Sequence, residues 1–234
     1  LPLIAENLSE VRERISQAIL KSKRIPDAIR LVVVSKQVGI SQIEEARTAG
    51  AAIFGENKIQ EAVSKVDEIG NEEISWHFIG HLQKNKVKFL DERFDLIHSV
   101  DSFELAEKIA KQCQSENRVQ SVLLQVNVSG ETAKFGMEPV ELEKQVMAFS
   151  RLQGIKVEGL MTIPPFDPDP ENSRKHFSRL RELRDQCEKQ NSLTLSELSM
   201  GMTNDFEVAI EEGATLVRVG TAIFGSRRAT PGGN

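Results

Sequence analysis

The chain has 234 residues, of which 39% are hydrophobic and 28% charged, and a formal net charge of −5. A chain this long buries roughly 70% or more of its unfolded surface, so it needs neither disulfides nor a metal to hold a core. The acidic balance, with a pI near 5.6, argues against a nucleic-acid or anionic-membrane surface but leaves room for a local basic pocket that takes a small anion.

Leu8, Val11, Ile15 and Ile19 recur at three- and four-residue steps and predict an opening helix over residues 5–22. Short apolar runs follow at 31–34, 51–54, 76–79, 96–100, 121–128, 157–163, 195–199 and 216–219. Most are rich in β-branched residues and lack strict alternation, as parallel strands buried on both faces do. Between them lie helical stripes, Ile59, Val63, Val66 and Ile69 in one and Phe177, Leu180, Leu183 and Cys187 in another. Ser41, Asp101 with Ser102, and Thr203 mark helix starts. Pro164, Pro165, Pro168 and Pro170 place a loop between the sixth strand and the helix after it. No composition shift divides residues 1–228, which are expected to form one domain, and residues 229–234 are expected to be a disordered tail. Eight strands alternating with helices in this length predict an α/β fold, a single (β/α)8 TIM-type barrel with an extra N-terminal helix. The competing layout is an open doubly wound sheet, but no Gly-x-Gly-x-x-Gly turn follows the first strand.

The apolar runs are far too short for a membrane span, and residues 1–7 lack the basic start and apolar stretch of a secretory signal. Cys113 and Cys187 lie far apart with no Cys-x-x-Cys pair, the usage of a reducing cytoplasm. Tyrosine is absent, against eleven phenylalanines and one tryptophan.

In a barrel of this kind the functional residues sit at the C-terminal ends of the strands. The first strand ends in Val34-Ser35-Lys36. A lysine directly after an apolar strand points into the barrel mouth, where desolvation and nearby cations lower its pKa. Only the neutral amine attacks a carbonyl, so Lys36 is a Schiff-base candidate; the alternative is a rim lysine reaching for water. Asn57, after Phe54-Gly55-Glu56, either caps the next helix or contacts a ligand. His81, after the third strand, either contacts a ligand or orients its loop. Histidines at 77, 81, 98 and 176 form no metal-binding spacing with the two cysteines. The run Lys84, Lys86 and Lys88 is a solvated helix face. The loops after the seventh and eighth strands are where barrels often hold a phosphate. There Ser199 and Thr221 supply hydroxyls, while Gly201 and Gly220 allow close backbone approach. Arg218, inside an apolar strand, is a guanidinium that needs a carboxylate or a ligand acceptor. A strand-end lysine across the mouth from a phosphate cup suits a phosphorylated aldehyde, pyridoxal 5′-phosphate (PLP) foremost.

Taken in order, the segments Val34-Ser35-Lys36, Phe54-Gly55-Glu56-Asn57, Trp76-His77-Phe78-Ile79-Gly80-His81-Leu82-Gln83-Lys84-Asn85-Lys86, Gly159-Leu160-Met161, Leu198-Ser199-Met200-Gly201-Met202 and Val217-Arg218-Val219-Gly220-Thr221-Ala222-Ile223-Phe224-Gly225 resemble the pyridoxal phosphate homeostasis protein family. That family is similar to the N-terminal barrel of alanine racemase. The resemblance implies an alanine-racemase N-terminal-domain-like barrel that carries PLP as a Schiff base on Lys36. It implies Asn57, His81 and Met200 among the cofactor-binding positions, and Ser199, Gly201, Gly220 and Thr221 at the phosphate. Arg218 would face the pyridine nitrogen, where a permanent cation disfavours protonation and makes the ring a weaker electron sink.

The same resemblance implies a protein that supplies or buffers PLP for PLP-dependent enzymes without turnover of its own. The cysteine usage suggests a cytoplasmic protein, and a barrel lacking the racemase's second domain is expected to be a monomer, its open mouth reachable by free amino acids and amines. The competing reading is a PLP-dependent amino-acid racemase. The related racemases look like two-base enzymes, with a tyrosine from the neighbouring subunit as the second base and a β-rich domain completing the site. A sequence of this length without tyrosine is expected to supply neither. A Schiff-base aldolase is the third reading, though its lysine would more usually come from a late strand.

Overall fold

A computed structural model describes residues 3–25, 29–70 and 73–225; the tail expected at 229–234 lies outside them. The apolar spacing near the start forms α1 (Ile4–Ser22), which buries Ile4, Leu8, Val11, Ile15, Ala18 and Ile19. Lys23 then turns left-handed at φ 55° and returns its amide to the preceding turn, ending the helix.

Eight parallel strands follow in sequence order: β1 (Arg30–Val34), β2 (Ile53–Glu56), β3 (Ser75–Phe78), β4 (Phe94–Val100), β5 (Gln120–Gln125), β6 (Ile155–Met161), β7 (Glu197–Ser199) and β8 (Leu216–Val219). They close into a barrel, β8 pairing back to β1 with Arg30 beside Leu216 and Val32 beside Arg218. The connections carry α2 (Ile40–Thr48), α3 (Ile59–Ile69), α4 (Phe103–Ser115), α5 (Pro139–Ser150), α6 (Arg174–Asn191), α7 (Phe206–Glu211) and α8 (Thr221–Phe224). After β3 the connection is a 3-10 helix, Lys84–Phe89, so the lysine run lies on a tighter turn than expected. Several strands are displaced from the apolar runs, because such a run need not stop where the hydrogen-bond ladder does. The run at 121–128, for example, leaves the sheet after Gln125, and Val126 makes only an isolated bridge to Met137.

Helix starts are set by local hydrogen bonds that the sequence left open. Ser102 does cap α4, its Oγ accepting the Leu105 amide at 3.3 Å. Ser41 lies inside α2, whose cap is Gly39. Thr203 precedes the cap of α7, which is Asp205; the Asp205 carboxylate accepts the Met202 amide at 2.8 Å.

The eighth outer position is filled from the other end of the chain. α8 has four residues, and α1 packs against α7, α8 and α2. Asn7 donates to the Ile223 carbonyl at 2.8 Å, and Arg14 pairs with Glu207 at 2.6 Å. The helix expected as an addition to the barrel therefore stands where its eighth outer helix would.

Side chains alternate across each strand, so one set faces the axis and the other the helices. Val32, Leu96, Leu123, Met161 and Leu216 form a small apolar cluster distinct from the large one shared by strands and helices. Two residues further along, on the same faces, come His98 after Leu96 and Arg218 after Leu216, both buried. The barrel interior thus changes from apolar to polar toward the C-terminal ends of its strands. Among the described residues no helix is long and apolar enough to cross a membrane.

Candidate functional site

Lys36 lies two residues beyond the end of β1, half-buried, in a turn. The peptide groups on either side of it are held by α3. Lys65, itself buried, donates to the Ser35 carbonyl, to Glu56 Oε1 and to Glu61 Oε1, each at 2.7 Å. Glu61 Oε1 also accepts the Gln37 amide at 2.6 Å. Gln37 has φ 58°, a left-handed conformation uncommon for a residue with a side chain. One turn of α3 thus anchors the chain on both sides of Lys36. Behind it, the fully buried Glu56 accepts the Ser35 hydroxyl at 2.6 Å, and its Oε2 has no partner. Burial pushes the Glu56 carboxyl pKa up, against the opposing hydrogen bonds from Lys65 and Ser35. For Glu61, partial burial works in the same upward sense, but Lys65 and the Gln37 amide hold its pKa below the ordinary value.

Arg218 enters from β8. Its Nη1 donates to Ser199 Oγ and its Nη2 to the Thr162 carbonyl at 2.9 Å, using two of the five N–H donors of a guanidinium. Among the described residues no carboxylate is hydrogen-bonded to it. Burial draws its pKa down to about 10, with Asp205 opposing, so it stays cationic at neutral pH. Ser199 Oγ lies 2.8 Å from His98 Nδ1, and His98 Nε2 lies 3.0 Å from His77 Nδ1. Burial lowers the pKa of both imidazoles, that of His77 to about 3.

The remaining expected positions divide into mouth and core. Asn57 does not cap α3, whose cap is Lys58; its side-chain Oδ1 is buried without a partner. Gly80 packs on the Asn57 backbone so closely that a Cβ there would lie 2.1 Å from the Asn57 carbonyl oxygen. His81 lies with Nδ1 3.3 Å from Asp101 Oδ2 and its ring stacked on Phe135 at 3.9 Å, linking the loops after β3, β4 and β5. Gly220 abuts β1, where a Cβ would come 3.0 Å from the Val34 carbonyl oxygen. The loop after β8 is thereby brought beside the strand that ends at Lys36. Thr221 opens α8 with its side chain exposed.

Gly201, at φ 90°, lies where a Cβ would meet Ala209 Cβ at 2.5 Å, so it seats α7 against the end of β7. Met200 belongs to the core: its side chain is fully buried and its amide donates to the Leu216 carbonyl at 3.1 Å. Ser199 is fully buried, its hydroxyl accepting from Arg218 and lying 2.8 Å from His98 Nδ1. Thr203, expected as a cap, instead lies in the loop between β7 and α7. Glu56, Lys65, His77 and His98 were not singled out by sequence. The available signal was a polar side chain inside an element otherwise buried.

Comparison with known proteins agrees with the barrel fold. Residues 4–228 match the family model of the alanine racemase N-terminal domain. The chain is 46% identical over 223 residues to the pyridoxal phosphate homeostasis protein of Aquifex aeolicus, covering 95% of this chain and 98% of that one. It is 40% identical over 228 residues to the protein of the same name from Escherichia coli K12, covering 96% and 97%. Among solved structures it is similar to PipY of Synechococcus elongatus PCC7942 with PLP bound, at TM-score 0.83, 36% identity and coverage of 95% and 100%. Alanine racemase of Clostridium difficile 630 shares the fold at TM-score 0.76 and 14% identity; the match covers 98% of this chain and 58% of the racemase. The chain belongs to the pyridoxal phosphate homeostasis protein family, built on the alanine racemase N-terminal barrel.

Proposed function

We propose that this chain holds PLP at the barrel mouth through Lys36, and that it buffers the cofactor or supplies it to PLP-dependent enzymes in the cytoplasm without turnover of its own. The observation that carries the proposal is Arg218. It is a buried cation with no carboxylate hydrogen-bonded to it and more than half of its donors unspent. Burying such a charge with only part of its donors satisfied is costly, and a ligand acceptor at the site would offset part of that cost. A pyridine nitrogen is a neutral acceptor of the right kind. The buried, unpartnered Asn57 Oδ1 supports a ligand in the same mouth.

In this reading the Lys36 amine, once neutral, condenses with the aldehyde carbon and releases water. Thr221 and Thr203 offer hydroxyls, and Gly201 and Gly220 backbone approach, to the phosphate. Asn57 contacts the ring substituents, His81 lines the rim with Phe135, and Met200 backs the site from the core. Bound PLP supplies an electron sink to any amino acid attached to it. Arg218 weakens that sink, because its permanent charge opposes protonation of the nitrogen it faces. The protein is proposed to act as a monomer, with its mouth open to free amines and amino acids.

The test begins with the absorption spectrum of the protein titrated with PLP, followed by borohydride reduction and peptide mapping. The expected result is a visible-region band and a reduced adduct on Lys36. A colourless protein, or an adduct found only on other lysines, refutes the assignment. Incubation with L-alanine in deuterium oxide then separates holding from racemisation: sustained α-exchange at an enzyme-like rate would favour the racemase.

A further inference from the structure

Two imidazoles and a hydroxyl occupy a barrel layer that lies directly against an apolar one, and no role at the mouth accounts for His77 or His98. Burying polar groups here is unfavourable unless each is hydrogen-bonded. They are bonded to one another in a row that ends on Arg218. We propose that Ser199, His98 and His77 are positioning residues, a one-directional hydrogen-bond chain that aims the Arg218 guanidinium at its ligand without neutralising it. The inference rests on the reading of Arg218 as the partner of the PLP ring nitrogen.

The direction follows from counting protons. Ser199 Oγ accepts from Arg218 Nη1 and has one proton of its own. Given to His98 Nδ1, that proton fixes His98 as the tautomer with hydrogen on Nε2. His98 Nε2 then donates to His77 Nδ1, and every contact in the row is a hydrogen bond. In the reverse arrangement His98 Nδ1 carries the hydrogen and also donates to Ser199. The Ser199 proton is then left in a fully buried position with no other partner. A spare donor at the fully buried Ser199 is costlier than the one the forward direction leaves on His77 Nε2, at the far end of the row. The forward direction also lets the cation at the head polarise each O–H and N–H away from itself.

A carboxylate in the place of Ser199 would hold the guanidinium equally firmly, but as a bidentate ion pair that cancels its charge. The neutral row leaves the charge for the ligand. Thr162 supplies the second anchor through its carbonyl, again without charge. Two neutral acceptors thus fix the plane of Arg218, while the remaining N–H groups are left for the site.

The test uses PLP as the probe and a double-mutant cycle. Ser199→Ala is expected to weaken PLP affinity about fivefold or more and to shift the absorption maximum of the bound cofactor. In an Arg218→Ala background the same change is expected to alter affinity by less than twofold, because its effect passes through Arg218. An unchanged affinity and spectrum in Ser199→Ala, or a full effect persisting without Arg218, overturns the proposal. If Arg218→Ala alone leaves PLP binding unchanged, it is the reading of Arg218 that fails. The chain is then decided on the unmutated protein by nitrogen-15 NMR of its histidines. The expected result is His98 neutral with hydrogen on Nε2 from pH 5 to 8; hydrogen on Nδ1, or a titration within that range, overturns it.

Discussion

Replacing Lys65 by methionine keeps the unbranched stem and removes the cation to which the lysine loop is tied. Lys65 and Glu56 form a 2.7 Å pair with side-chain exposures of 8% and 0%, so solvent hardly screens it. Breaking a buried pair from one side leaves the other charge uncompensated, at a cost of about 3–5 kcal/mol. The Glu61 contact adds little, because that carboxylate is a quarter exposed. For a chain of this size such a loss corresponds to a fall in Tm of about 6–20 °C. Urea unfolding followed by circular dichroism at pH 7 measures it directly. The pH dependence supplies the second arm. Glu56 already has a raised pKa in the folded protein, and removal of Lys65 raises it further. A raised folded pKa favours the folded state at low pH, and that advantage is lost as pH rises through the folded pKa. The deficit of the variant is therefore expected at pH 7 to 8 and to shrink as pH falls toward 5. Adding Glu56→Gln is expected to recover a large part of it at pH 7. A deficit under about 1 kcal/mol at pH 7, or one equal at pH 5 and pH 8, would refute the account of this network.

Three further outcomes follow from the same geometry. His77 has its pKa lowered to about 3 by burial, so the folded state binds fewer protons than the unfolded chain, whose histidine titrates near 6.5. The stability this contributes is complete above about pH 6.5 and is lost as pH falls toward 3, about 2 kcal/mol of it between pH 7 and 5. His77→Gln is expected to flatten that slope in urea titrations, and an unchanged slope would remove His77 from the acid response. Gly80→Ala places a Cβ 2.1 Å from the Asn57 carbonyl oxygen, and overpacking against backbone costs about 1–3 kcal/mol or more. It is expected to lower Tm and to weaken PLP binding together; a variant with native Tm and affinity would count against the Asn57 placement. Leu8→Ala, at a fully buried position of α1, is expected to cost about 2–5 kcal/mol in chemical denaturation. A loss below about 1 kcal/mol would mean that α1 does not serve as the barrel's eighth helix.

The barrel was legible in the sequence because its strands are largely buried on both faces: eight short apolar runs at regular spacing have few other architectures open to them. What the runs do not carry is where a ladder of backbone hydrogen bonds ends, hence the shift of β2 to Ile53–Glu56 and the early end of β5. At the mouth, Lys36 and Arg218 were legible because a cation at the end of an apolar strand or within it demands an explanation. Ser199 was legible as a hydroxyl near a glycine, but composition does not show which side of the strand it faces. Alternation from Met200, whose side chain joins the large cluster, puts Ser199 on the inner face beside Arg218. His77 and His98 escaped for a related reason. As metal-ligand spacing they are meaningless, and their pairing depends on two strands becoming neighbours.

Whether a PLP site holds the cofactor or uses it turns on two groups: an acceptor for the substrate proton and a partner for the ring nitrogen. The sequence has no tyrosine to serve as the first. His81, the imidazole at the rim, is set against Asp101 and stacked on Phe135, an arrangement that fixes its ring as part of the wall. In the proposed reading the second group is Arg218, and its surroundings matter as much as its identity. A carboxylate behind it would draw off the charge that opposes protonation of the nitrogen, and would bring the ring closer to the electron demand that carbanion chemistry needs. The barrel instead hydrogen-bonds Arg218 to a hydroxyl and a carbonyl, the hydroxyl backed by two imidazoles, and the Asp205 carboxylate acts on it only through space, without a hydrogen bond. Under the proposed function the guanidinium would keep its charge and the ring would remain a weak sink, so the interior of the barrel would favour retaining PLP over reacting with it.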